Sequence, residues 1–238
     1  MSKVCCRWVP RNLSEGDRVK RLQFSRELLS LYDSDPQEFC ARVVTGDETW
    51  LHHYDPDSKM ESMQWKHTDS PTPRKFRVQR SAGKVMATIF WDAEGVLLID
   101  YKPNGRSING AYYAQLLIKL KEAIKQKRRG KLSSGVLLLH DNAPVHKAKV
   151  AQDAIQHCGF EELPHPPYSP DLAPSDYYLF RQLKKHLRGT RFWDDEELQY
   201  TTEQWLRVQP ENFYSEGIRS LHHKWSKCVL KEGDYIEK

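Results

Sequence analysis

Val136-Leu137-Leu138-Leu139-His140 is the segment that most limits how this chain can fold. It is short and continuously apolar, with none of the alternation of a strand that has one wet face. Such a run belongs to a strand covered on both sides, so it demands a sheet with helices on each face. The residue that follows it is Asp141. In α/β sheets, ligands bind beyond the carboxyl ends of central strands. Asp141 therefore marks where chemistry is to be sought.

The flanking patterns fill in the rest of such a sheet. Ala41–Tyr54 reads as a strand rich in Val, Thr and Trp, and Ser62–Lys66 as a possible second one. Lys84–Trp91 and Val96–Tyr101, joined by Asp92-Ala93-Glu94-Gly95, form a hairpin signature. Asn109–Lys127 is a helix with Tyr112, Tyr113, Leu116, Leu117, Leu120 and Ile124 on one face. Val145–His157 is a helix stopped by Gly159, and Phe160–Leu163 a short strand. Pro164–Pro174 holds five of the 13 prolines and is a stiff, irregular connection. Ser175–Leu187, capped by Ser175, Glu196–Val208 and Phe213–Cys228 are the remaining helices. Residues 1–39 form an extension with one helix, capped by Ser14 and ended by Asp33-Ser34-Asp35-Pro36. Its apolar stripe runs through Leu22, Ser25/Arg26, Leu29 and Tyr32. The fold class is α/β, one mixed sheet flanked by helices.

Composition narrows the function. The 238 residues carry a net charge of +5, but the charge is unevenly placed. Residues 119–131 hold seven basic residues and one acid, residues 66–84 six and one, and residues 181–191 five and none. Basic tracts on an otherwise acidic chain suggest a polyanion partner, with solvated helix faces as the plainer alternative. Candidate phosphate contacts are Arg74, Lys75, Arg77, Arg80, Lys127, Arg128, Arg129, Lys184, Lys185 and Arg188. Lys127 to Lys131 also resembles a nuclear localisation signal. No apolar run is long enough to span a membrane, and no secretory leader is expected. The five cysteines form no C-x-x-C pair, so they read as free or buried thiols of a reducing compartment. The sequon Asn12-Leu13-Ser14 is then a chance match. Nucleotide-binding glycine loops and the G-x-S-x-G of serine hydrolases are missing, so no small-molecule cofactor is expected.

Three carboxylates make a better case together than singly. Asp47 lies in the first strong strand, Asp141 follows the buried one, and Asp176 opens the helix after the prolines. Each has a structural explanation: an exposed strand residue, an Asx turn, and an acid at a helix N-terminus. If the two strands are neighbours, Asp47 and Asp141 converge. Three clustered acids need cations between them, and hard divalent ions with oxygen ligands suit the place. Two such ions clamp the attacking and leaving oxygens of phosphoryl transfer. His140, beside Asp141, lies near this site, whereas the other histidines read as surface or structural.

The segments around these acids resemble the catalytic motifs of mariner-family transposases. VTGDETW (Val44–Trp50) is similar to the first, HDNAPVHKA (His140–Ala148) to the second and PYSPDLAPSDYYLF (Pro167–Phe180) to the third. Asp141 and Asp176 are separated by 34 residues, the spacing that defines the family. Trp8 to Leu13 resembles its WVPHEL linker motif, with Arg11 and Asn12 in place of His and Glu. FYSEGIRSLHHKWSKCV resembles its terminal segment.

The resemblance implies an RNase H-like, retroviral-integrase-like catalytic domain over residues 40–238. It further implies that Asp47, Asp141 and Asp176 bind two Mg²⁺ or Mn²⁺ ions. Water would then cut double-stranded DNA at the transposon end, and the 3′-OH would attack a TA target. Residues 1–39 would be a linker and dimerisation segment, with Trp8, Val9, Pro10 and Leu13 at the contact. Residues 55–83 would be the loop that meets the partner subunit of a homodimer, and the location would be the nucleus. The family's helix-turn-helix region does not occur in this chain. The competing readings are a domesticated or truncated module that binds DNA or protein without transposing, and an RNase H-like nuclease acting on other substrates.

Overall fold

The computed structural model describes residues 6, 9–58, 61–75, 78–102 and 108–236. One five-stranded sheet runs in the order β3-β2-β1-β4-β5. Its strands are β1 (Val43–His52), β2 (Lys84–Asp92), β3 (Gly95–Lys102), β4 (Val136–Leu139) and β5 (Phe160–Glu162). The β1–β2–β3 half is antiparallel, whereas β4 and β5 run parallel to β1. The apolar run is β4, and all four of its residues are buried. It pairs with β1 through Val43↔Leu137, Val44↔Leu138 and Thr45↔Leu139.

Strand alternation sorts the core into two layers. Val43, Ile89, Trp91, Leu137 and Leu139 belong to one apolar cluster; Val44, Phe90, Leu97, Val136 and Leu138 belong to the other. Helices α3 (Gly110–Lys127) and α5 (Lys149–Cys158) cover the second layer. The first lies under α1 (Glu15–Ser34), α2 (Pro36–Arg42), α6 (Phe180–Leu187), α7 (Asp195–Arg207) and α8 (Glu211–Leu230). A short α4 (Lys131–Ser134) leads into β4.

Several sequence expectations need correction. Asp35-Pro36 ends α1 but also starts α2: the Asp35 carboxylate accepts from the Gln37 and Glu38 amides, and Pro36 occupies the first turn. The boundary at residues 39/40 therefore falls inside a helix whose Phe39 and Cys40 are core residues. The buried face of α1 is Arg21, Ser25 and Leu28, one step from the expected stripe. Ser62–Lys66 is no strand, and among the described residues 55–83 form no helix or strand. The expected Val145–His157 helix starts only at Lys149, because residues 144–148 form turns and bends. Ser175 does not cap its helix. It opens a π-helical turn, Ser175–Leu179, that runs into α6, and its Oγ accepts the buried Trp91 Nε1–H at 3.1 Å.

Four described cysteines are free thiols. No helix among the described residues is long and apolar enough to cross a membrane.

Candidate active site

β1 and β4 bring the first two acids together. Asp47 sits two residues beyond Thr45 on the same face, and Thr45 pairs with Leu139 of β4. Asp141 continues the alternation of Leu137 and Leu139, so both acids are on the face that carries α6 and α8. Asp47, Asp141, Thr45, His165 and Ser175 line one small cleft there, with Asp176 directly after Ser175. Gly46 is required beside Asp47, because a Cβ at that position would fall 2.3 Å from the Phe90 ring.

The electrostatics of the cleft differ from acid to acid. Burial pushes Asp47 well above the usual carboxylate range, and the charges of Asp176, Glu48 and Asp141 push it the same way. Asp141 goes the other way. Burial opposes its charge but is outweighed by hydrogen bonds from His146 (Nδ1 to Oδ1, 2.9 Å) and the Ala143 amide (2.9 Å). Asp176 is exposed, and its amide bonds to Ala173 O at 3.0 Å.

Behind Asp141 lies a buried layer that sequence reasoning missed, apart from placing His140 near the site. The rings of His140 and His146 stack 4.7 Å apart at 3°. Burial keeps His140 neutral, with Nε2 donating to Glu162 at 3.1 Å and Nδ1 accepting from Tyr113 at 2.5 Å. For His146, burial disfavours the imidazolium, but the Asp141 bond and the Glu48 charge win and push it up to about 10. Its Nε2 stands 3.9 Å from Glu48 Oε1, an ion-pair approach too long for a hydrogen bond. The 2.9 Å contact thus favours the charged forms of both partners, raising His146 and lowering Asp141. The HDNAPVH spacing was the one signal for it: a histidine five residues after an acid, across a turn.

The predicted basic contacts divide. Lys184 is half-buried on α6, which follows the π turn carrying Asp176, and the charges of Asp176 and Asp47 act on it. Lys185, Arg129 and Arg74 are exposed. Lys75 pairs with Asp57 (2.8 Å), Arg80 with Asp55 (2.8 Å) and Arg188 with Glu61 (3.3 Å), contacts that tie the 55–83 loop to itself and to the end of α6. Lys127 is exposed and Arg128 half-buried, and both are engaged by the protein's own acceptors. Lys127 Nζ donates to Leu97 O, and Arg128 and Lys131 share the buried Asp92 carboxylate at 3.0 and 2.8 Å. Arg77 and Trp8 lie outside the described residues; Val9 and Leu13 are half-buried and Pro10 is exposed.

Two oxygen-donor acids that line one cleft, with a third directly after its lining residue Ser175 and Asp47 raised by burial and by its neighbours' charge, suit hard divalent cations. Among the described residues, no three His, Cys, Asp or Glu side chains have already closed around a single point. His146 holds one oxygen of Asp141.

The comparisons with known proteins bear on this site. Residues 55–134 match the family described as Transposase (partial DDE domain). The mariner Mos1 transposase of Drosophila mauritiana is 36% identical over 233 residues, which are 97% of this chain and 66% of that protein. The Mos1 mariner paired end complex, solved with Mn and with Mg, superposes with a TM-score of 0.88 at 35% identity. That match covers 100% of this chain and 68% of the other. The chain belongs to the mariner transposase family. The crystal structure of the catalytic domain of Mos1 mariner transposase superposes at TM-score 0.81 with 34% identity, over 97% of this chain and 100% of that one. The mixed sheet is therefore the RNase H-like fold of the mariner catalytic domain. The chain spans 66% of the length of the Drosophila mauritiana protein.

Proposed function

We propose that this chain is the catalytic portion of a mariner-type DNA transposase, a metal-dependent phosphoryl-transfer enzyme that cuts DNA and joins it to TA targets. The observation that supports the proposal is that Asp47 and Asp141 line one cleft beyond the β1–β4 pair, while Asp176, next to the lining residue Ser175, is close enough for its charge to act on Asp47. Mos1, its relative, is solved as a paired end complex with Mn and with Mg, which supports transposon-end DNA as substrate and a divalent ion as cofactor.

Asp47, Asp141 and Asp176 would hold Mg²⁺ or Mn²⁺, two ions in all. Bound there, the ions would supply the positive charge that activates water and steadies the leaving oxygen. The rest of the work falls to the chain itself. His146 favours the charged form of Asp141 and fixes its orientation. Trp91 holds Ser175 and so sets where Asp176 leaves the loop. Exposed Arg74, Lys185 and Arg129, with Lys75, Arg80 and Arg188 at the loop, would meet the DNA backbone. Residues 1–39 would serve as linker and dimer contact and residues 55–83 as the loop toward the partner of a homodimer. The enzyme would act in the nucleus, where its substrate is.

The test is Mg²⁺-dependent nicking of duplex DNA by the wild type and by Asp141→Ala. The proposal expects nicking that needs the metal and is abolished by the substitution. Equal nicking by both proteins would overturn it.

A further inference from the structure

Arg21 lies on the inner face of α1 and is fully buried. A buried guanidinium is costly unless every N–H finds an acceptor. Here each does. Nε donates to Gly233 O at 2.8 Å. One terminal nitrogen reaches Ser169 Oγ at 2.6 Å and Asp171 Oδ1 at 2.9 Å. The other reaches Asp171 Oδ2 at 2.8 Å and Asp234 O at 3.3 Å. The Asp171 contact is a two-pronged fork, the geometry in which arginine fixes orientation as well as charge. One side chain thus joins α1, the terminal segment after α8 and the proline-rich connection.

The joined part of that connection is the stretch that delivers Asp176. Tyr168 is held at φ +54 without being glycine, a left-handed conformation that persists only where its surroundings impose it. Those surroundings are the Arg11 guanidinium, 4.2 Å from the ring centre, and the Tyr235 hydroxyl, which donates to Tyr168 O at 3.0 Å. From the clamp onward the backbone has no slack. Leu172 N bonds to Ser169 O at 3.0 Å, Ala173 N to Pro170 O at 3.4 Å and Asp176 N to Ala173 O at 3.0 Å. Successive turns therefore lead from the residues gripped by Arg21 to the amide of Asp176.

We propose that Arg21 is a positioning residue for Asp176, acting through Ser169 and Asp171 to fix the height at which the third carboxylate enters the cleft. The inference rests on the metal-site reading above and adds to it the device that sets the third acid. Loosening the clamp leaves Asp47 and Asp141 in place, because they stand on β1 and after β4. It lets the 172–176 turns wander, and the cation affinity of the site falls.

The experiment uses the full chain and three variants. Arg21→Lys keeps the charge and loses the fork. Ser169→Ala removes one bond and is the milder change. Leu97→Ala is a destabilised control in the opposite core layer. Mn²⁺ binding is measured by calorimetric titration, and hydrogen exchange of amides 172–177 is followed without metal. Arg21→Lys should bind Mn²⁺ about tenfold more weakly, in the range seen when outer-shell partners of metal ligands are removed. It should also exchange faster at 172–177, with Ser169→Ala changing in the same direction and Leu97→Ala matching the wild type in both. If Arg21→Lys does not fold, Ser169→Ala decides. Folded clamp variants with unchanged Mn²⁺ affinity overturn the clamp while the metal site stands, and so does a Leu97→Ala protein weakened as much. A wild type that binds no Mn²⁺ refutes the metal site and the clamp with it.

Discussion

Asp92→Asn tests whether the basic tract after α3 is a structural staple or a DNA contact. Asp92 is fully buried, and its carboxylate takes Arg128 at 3.0 Å and Lys131 at 2.8 Å through Oδ2. Its Oδ1 accepts the Glu94 and Gly95 amides at 3.0 and 3.1 Å, closing the β2–β3 turn. Asparagine can keep the turn through Oδ1 but presents an NH₂ to two buried cations. Removing one partner of a buried ion pair costs about 3–5 kcal/mol, because the other is left uncompensated. In a chain of this size each kcal/mol moves Tm by roughly 2–4 °C, so the midpoint should fall by about 6–20 °C. Urea unfolding and a thermal scan measure it. A companion measurement uses DNA. Each phosphate contact contributes about 0.9 to the slope of log affinity against log salt, so Arg129→Ala should reduce that slope by about 0.9. Arg128→Met should lower stability and leave the slope alone. A loss below about 1 kcal/mol for Asp92→Asn, or a reduced slope for Arg128→Met at unchanged stability, refutes the staple.

Mn²⁺ binding should release protons, since Asp47 holds its proton above the usual carboxylate range until a cation arrives. Calorimetry in two buffers of different ionisation enthalpy should give different apparent heats and an affinity that rises with pH; equal heats would contradict it. His165 is buried, and burial drops it from 6.5 to about 4. Its folded state therefore binds fewer protons than the unfolded chain between those values, and stability should fall as pH drops from 6.5 to 4. The slope should flatten in His165→Gln; an unaltered slope would assign the effect elsewhere. Ser175→Ala orphans the buried Trp91 Nε1–H and should cost about 1–3 kcal/mol in denaturant unfolding. A cost near zero would mean that the indole finds another acceptor.

The sheet was legible because its signals are local. The unbroken apolar run named β4, Val, Thr and Trp content named β1, a hairpin signature named β2 and β3, and a fixed two-residue period put Asp47 and Asp141 on one face once β1 and β4 paired. Arg21 was illegible for the opposite reason. An arginine reads as solvent-facing, and its acceptors at Ser169, Asp171 and Gly233 are 148 to 212 residues away. The α1 stripe was misplaced by the same polar residue. Arg128 shows the converse error: a run of positive charge looks like a phosphate site, but one member is drawn inward by an Asp 36 residues earlier. The π turn at Ser175–Leu179 left no sequence signal, because it depends on where Trp91 and Gly217 allow the chain to pass.

The three acids differ in how they are held, and that difference governs what the site tolerates. Asp47 belongs to a strand paired on both sides, so its position follows from sheet register. Asp141 leaves a strand end but is tied by His146, whose own ring is fixed by its stack on His140. Asp176 belongs to neither strand. It stands at the junction of a proline-rich connection and a π turn, held by Trp91 through Ser175 on one side and by the Arg21 clamp on the other. Two acids fixed by the sheet and its end, and a third fixed through a loop, suit the cation site proposed above. Substitutions that disturb catalysis from a distance should therefore concentrate among residues that grip the 167–176 segment rather than among those that build the sheet.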